Sequence, residues 1–312
     1  MPSTLVIILA ETRACSSTFD LFEKNLLNVF QADLALCVAD NLREDQGNRF
    51  YQKAKYVWQS KEYVDWGEGL EQLVENHHPD WRKLLQIQNQ WLGGIRGEYE
   101  QSGSGGILLY FREFLRKSLL KSGALDKYER FIVTRSDFMY ETPHVSPNLL
   151  DNRYIWIPDG EHYGGYTDRH MLCPAAKILQ ALSVADILTR EPELVITQVQ
   201  HLQPWNLERF LKFHMQNSGL AGSVRMFPYT MFTVREPGGH TNWSEGMFDP
   251  VRMVYIKYGT EHVRARLARI VLGQGAWSRC KVIAFNVLCP LALWVASMIY
   301  TLRVKFGTAG GR

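Results

Sequence analysis

Three short apolar runs constrain this chain most: Leu5–Ala10 (LVIILA), Leu34–Val38 (LALCV) and Phe131–Val133 (FIV). Each is strand-length, rich in β-branched or apolar side chains and bounded by polar residues, so each reads as a buried strand. Between them lie helical patterns. Phe19, Phe22, Leu26 and Phe30 share a stripe over residues 19–31, and Ile107, Tyr110, Phe111, Phe114 and Leu115 form an apolar face after the Gly103-Ser104-Gly105-Gly106 break. Further strands are expected at 153–157 and, as one long strand, at 224–234, with helices near 174–188 and 206–218. Strands alternating with helices predict an α/β sandwich around a mostly parallel sheet. A Trp-rich insertion at about 50–102 is expected to be mostly helical from 67 to 101.

In such sheets, ligands bind outside the carboxyl ends of the strands, so polar residues that follow a strand carry extra weight. Glu11 and Arg13 follow the first strand, Asp40 the second, and Arg135-Ser136-Asp137 the Phe131 strand. Side-chain alternation sends Arg135 and Asp137 to the same face. They read either as an ion pair or as a phosphate- and cation-binding couple. About thirty residues on, Gly164-Gly165-Tyr166-Thr167-Asp168-Arg169 brings a second acid. Its glycines are either a close-approach loop or a turn, and Asp168 is either a site carboxylate or the cap of a following helix.

Other candidates have plainer readings. Adjacent His77 and His78 point apart, and Pro79-Asp80 reads as a helix start. Glu161 and His162 read as a solvated loop, His214 as a satisfied core histidine, and His240 as a minor contact beyond the last strand. P-loop, serine-hydrolase and Rossmann signatures are missing from the sequence. The net charge of +3 and 21% charged residues exclude a strong nucleic-acid footprint and a disordered chain. The five cysteines are scattered without Cys-x-x-Cys spacing and read as reduced thiols in a cytosolic setting; the sequon Asn242-Trp243-Ser244 leaves a lumenal one open.

The order of these pieces resembles the GT-A-fold glycosyltransferases that use nucleotide sugars, similar to those of lipopolysaccharide and capsule synthesis and of algae and large viruses. The resemblance rests on the first strand, Thr134-Arg135-Ser136-Asp137, Gly164-Gly165-x-x-Asp168-Arg169, and Asn206–Lys212 followed by Arg225–Arg235. It implies a GT-A-like domain over 1–258 with a central mixed sheet. It also implies a nucleotide-diphosphate sugar as donor and a glycan or lipid-linked acceptor. Asp137 then stands where the metal-binding Asp-x-Asp stands, holding Mn²⁺ or Mg²⁺, with Arg135 replacing the first acid. Asp168 is the implied catalytic base, and Glu11, Arg13, Asp40, Arg135, Gly164, Gly165, Arg169 and Arg235 are the implied donor-binding set; Arg225 is a further cation. Two alternatives remain: a non-catalytic carbohydrate-binding or scaffold protein of the same fold, and a sugar nucleotidyltransferase, against which stands the lack of a Gly-rich loop after the first strand.

At the C-terminal end, Val282–Leu302 is uncharged and about as long as a bilayer requires, with Arg279, Lys281, Arg303 and Lys305 around it. Upstream, over 259–279, Val263, Leu267, Ile270 and Val271 recur at helical spacing among arginines. This predicts a basic amphipathic helix on a membrane surface and a membrane-associated tail over 280–312, with the catalytic domain cytosolic or, alternatively, lumenal.

Overall fold

A computed structural model of the chain describes residues 3–39, 47–87, 91–201, 205–238, 246–273 and 275–307. Its strands are β1 (Thr4–Ala10), β2 (Asp33–Ala39), β3 (Tyr56–Ser60), β4 (Arg130–Thr134), β5 (Phe138–Met139), β6 (Ile155–Pro158), β7 (Met171–Pro174), β8 (Val224–Phe227), β9 (Phe232–Arg235), β10 (Met247–Asp249) and β11 (Val254–Ile256). The helices used below are α1 (Cys15–Phe22), α2 (Trp66–Leu73), α3 (Gly105–Ser122), α4 (Ala175–Leu182), α5 (Val184–Arg190), α6 (Leu207–Asn217), α7 (Gly259–Leu272) and α8 (Arg279–Gly307).

A seven-stranded sheet runs β3-β2-β1-β4-β7-β6-β8, and a smaller one runs β10-β11-β9-β5. In the large sheet β7 is antiparallel to β4 and β6, while β1, β2, β3 and β4 pair in parallel, as do β6 and β8. The unbroken apolar runs follow from burial on both faces. Leu5, Ile7 and Leu9 join one core with Phe111 of α3 and Leu182 of α4, whereas Val6 and Ile8 join another with Phe19, Phe22 and Phe30.

The structure departs from the sequence expectations in five places. Residues 224–234 form two strands in different sheets, because Pro228 lacks the N–H a continuous ladder needs. Met171–Pro174 is a strand, so Asp168 does not cap a helix. Tyr56–Ser60 belongs to the main sheet as its edge, alternating half-buried and exposed rather than wholly apolar. Over 67–101 the insertion is helical, among the described residues, only in Trp66–Leu73 and a 3₁₀ turn at Trp81–Gln86; in the stretch beyond, the backbones of Gly93 and Gly103 approach so closely that a Cβ on Gly93 would sit 2.0 Å from the Gly103 carbonyl. The helix expected on a membrane surface, α7, instead buries Glu261, Ala265, Ala268 and Leu272 against the domain, which therefore extends past residue 258. One C-terminal helix, Arg279–Ile299 of α8, is long and apolar enough to span a membrane.

Candidate functional site

The antiparallel sense of β7 builds the site. Strands β1 and β4 end at the same rim, with Ile8 opposite Thr134, and β7 begins there, with Met171 opposite Val133. The residues after β4 and before β7 therefore converge with those after β1, which lie more than a hundred positions away in sequence. They line a cleft of ≈ 230 Å³: Glu11, Arg13, Arg135, Ser136, Asp137, Asp168 and Arg169 on the polar side, and Trp66, Ile107 and Phe111 on the apolar side.

The β1–α1 loop is held in strained form. Ala10 and Ala14 adopt positive φ values of 75° and 52°, a conformation that costs a residue with a Cβ about 1 kcal/mol or more. Ser136 locks it: its Oγ accepts from the Arg13 N–H at 2.6 Å and donates to the Glu11 carbonyl at 3.1 Å. The Arg13 side chain, half-exposed, pairs with Glu11.

Asp137 is 1% exposed and saturated with partners. Arg135 donates through Nε to Oδ1 and through Nη2 to Oδ2, both at 2.8 Å, and Arg235 also donates to Oδ2. Burial alone would push this carboxyl up, but Arg135, Arg235 and Arg13 outweigh it and hold the group well below the usual carboxylate range. A divalent cation would have to displace two arginines and enter a positive field. The metal role implied for Asp137, with Mn²⁺ or Mg²⁺, does not fit this donor set, and no group of three or more metal-ligating side chains occurs among the described residues. The ion-pair reading of Arg135 and Asp137 is the one the geometry bears out, in buried form.

Asp168 differs. Its carboxylate is one-tenth exposed in the cleft, and among the described residues its ion-pair contact is Arg169 at 3.9 Å. Its backbone carbonyl accepts from the buried Arg112 at 2.9 Å, which fixes its position without using its side chain. Glu208, at the start of α6, is pushed up to about 7 by burial and then by the Asp168 charge beside it. Arg169 pairs with Glu261 of α7 and lies over the Tyr258 ring at 4.3 Å.

The remaining candidates separate. Arg235 sits behind Asp137 as its clamp. Gly164 and Gly165 do not line the cleft: they seat the loop on α6, where a Cβ on Gly165 would come 1.9 Å from the Glu208 carbonyl, and Gly164 lies against Arg209. Arg225 is bound to the carbonyls of Gly222 and Val224 and stacks on Tyr154. Glu161 pairs with Arg264, and His214 Nε2 meets the Gln180 carbonyl at 2.9 Å as a satisfied core histidine. Asp40, His240 and Asn242 lie outside the described residues. All five cysteines are free. Sequence reasoning gave no site role to Trp66, Glu208, Lys257 or Glu261; Glu208 lies in the Asn206–Lys212 stretch of the resemblance, and the others stand in no recognisable motif.

Beneath the cleft floor His144 and His170 meet Nε2 to Nε2 at 3.3 Å; His144 Nδ1 donates to the Val145 carbonyl at 2.9 Å, and His170 Nδ1 faces the Thr134 hydroxyl at 2.9 Å. That chain needs both rings neutral, because a second proton would set N–H against N–H. Burial pushes His144 down to about 4, and burial followed by His144 lowers His170 well below the ordinary range. The unfolded chain takes these protons first, so the stability held here is intact above about pH 6.5 and is lost as pH falls toward 4. Ring NMR signals of His144 and His170 are expected to stay neutral at pH 5.5; titration near 6.5 would refute the neutral pair.

Comparison of the chain with known protein families and with characterised proteins gives no match.

Proposed function

We propose that the protein is a GT-A-like glycosyltransferase, moving a sugar from a nucleotide diphosphate to a hydroxyl of a glycan or lipid-linked acceptor. The observation that carries this reading is Asp168: a cleft carboxylate with no close ion-pair partner among the described residues, facing a rim of arginines. The chemistry needs both parts. The acceptor oxygen bonds to the anomeric carbon as the bond to the diphosphate oxygen breaks. Asp168 takes the acceptor proton, and the cations stabilise the charge leaving on the diphosphate. A mostly parallel mixed sheet with the cleft at its carboxyl rim supports the GT-A-like assignment. A panel of nucleotide-diphosphate sugars is expected to raise the melting temperature of the purified full chain and to yield hydrolysis or transfer. No shift with any member, with or without Mn²⁺, would end this reading, and binding without turnover would favour a non-catalytic protein.

We further infer that the protein sits partly sunk in one leaflet of a membrane rather than being tethered by a free-standing span. Phe285 and Cys289 of α8 are buried on the domain with Leu293 packed beside them, and Trp277 donates to the Pro143 carbonyl at 3.0 Å. Past Leu293 the uncharged stretch runs from Trp294 to Leu302, before Arg303 and Lys305, and reaches roughly 14 Å at about 1.5 Å per residue, short of a hydrocarbon core of roughly 30 Å. The opposite stripe is apolar and open: Ile283 is 63% and Val287 70% exposed, and Leu291 and Trp294 continue it. With the protein bound outside sealed vesicles, protease is expected to remove a C-terminal tag as readily as it cleaves the domain. A protected tag would show a full span instead.

A further inference from the structure

We propose that the diphosphate is held by side-chain cations alone, with Arg13, Arg135 and Lys257 as its cradle and no divalent metal at Asp137. The ligand's identity rests on the glycosyl-transfer reading; the anion site rests on geometry. Arg13 and Arg135 line the cleft beside Glu11 and Asp137, and behind Asp137 stand Arg235 and, next to the Tyr258 ring, Lys257. Asp137 satisfies Arg235 and one edge of Arg135, and Glu11 pairs with the half-exposed Arg13; the outer edge of Arg135 and the exposed part of Arg13 face the cleft.

Lys257 is the surplus charge. It is 9% exposed and, among the described residues, its ammonium makes no ion pair or hydrogen bond. It lies 5.1 Å from the centre of the Tyr258 ring, which Arg169 also covers. A buried lysine among arginines is costly unless an anion joins it. Burial, then Arg235 and Arg135, pushes Lys257 down to about 8, with Asp137 acting in the opposite sense. The site is thus arranged for a multivalent anion, and arginine forks suit the non-bridging oxygens of a diphosphate. A metal would supply the same neutralisation elsewhere; here the protein's own cations already fill the position beside Asp137.

The test is calorimetric titration of the full chain in detergent with inorganic pyrophosphate, in EDTA and then with Mn²⁺ or Mg²⁺. Saturable binding in EDTA, not strengthened by either metal, is expected. Arg13→Ala and Lys257→Met should each weaken it roughly tenfold or more while Lys257→Arg retains it. Neither replaced side chain carries core packing, and unchanged unfolding midpoints would verify that both variants fold. Binding seen only with metal, or unaffected by both variants, would overturn the cradle and leave glycosyl transfer standing. Loss of pyrophosphate binding with nucleotide sugars still bound would do the same. If neither pyrophosphate nor any nucleotide sugar binds under either condition, the cradle and the proposed function fall together.

Discussion

The Asp137→Ala variant is expected to lose about 3–5 kcal/mol of folding stability, enough to unfold much of the protein. The carboxylate is the common counter-ion of Arg135 and Arg235, and its removal leaves the buried Arg235 and the part-buried Arg135 without compensation. The loss also has an architectural side, because Asp137 lies in the link between β4 of the large sheet and β5 of the small one, and Arg235 lies on β9, which pairs with β5. The pair therefore fixes the point where the chain passes from one sheet to the other. A metal ligand would behave differently: its alanine variant would keep the unfolding midpoint measured without metal and lose only metal-dependent function. Urea denaturation followed by tryptophan fluorescence separates the two, and an unchanged midpoint would remove Asp137 from the structural role.

The Asp168→Asn variant is expected to fold normally and to lose roughly 10²- to 10⁴-fold in turnover, the usual range for a general base. Asparagine keeps the shape and the Arg112 bond, which uses the backbone carbonyl, while it abolishes the proton acceptor. Donor affinity should change little if the proposed cation cradle holds the diphosphate. Glu208 offers a second reading of the same change: its carboxyl is raised by burial and by Asp168, and the variant removes the second of these causes. A lower Glu208 titration point in carboxyl NMR is therefore expected alongside the lost turnover. Retained turnover would assign the base elsewhere.

Strands buried on both faces were legible because their composition is continuous: β1, β2 and β4 emerge from Leu5–Ala10, Leu34–Val38 and Phe131–Val133 with little shift. Helices with strong stripes, such as α3 and α6, emerged too. The four-residue β7 did not, since an antiparallel strand between neighbours needs no length or pattern of its own. The half-exposed edge β3 was obscured by its alternation, and the insertion by glycine-mediated backbone packing in place of helical stripes. At the site, strand-end position picked out Glu11, Arg13, Arg135 and Asp137, and the glycine loop brought in Asp168 and Arg169. What it could not distinguish was a satisfied carboxylate from an open one. Arg235 reaches Asp137 across 98 positions and Glu261 reaches Arg169 across 92, and pairings over such separations leave no local trace.

Glu261 has a practical corollary for anyone dissecting this chain. It accepts from Arg169, from the Tyr229 hydroxyl at 2.8 Å and from the Thr233 N–H at 2.6 Å, yet it belongs to the helix adjoining the apolar C-terminal one. Trimming at Tyr258, where composition suggests a boundary, would strip the counter-charge from a cleft arginine. A fragment that keeps the cleft's charge pairing must therefore extend at least through Leu272.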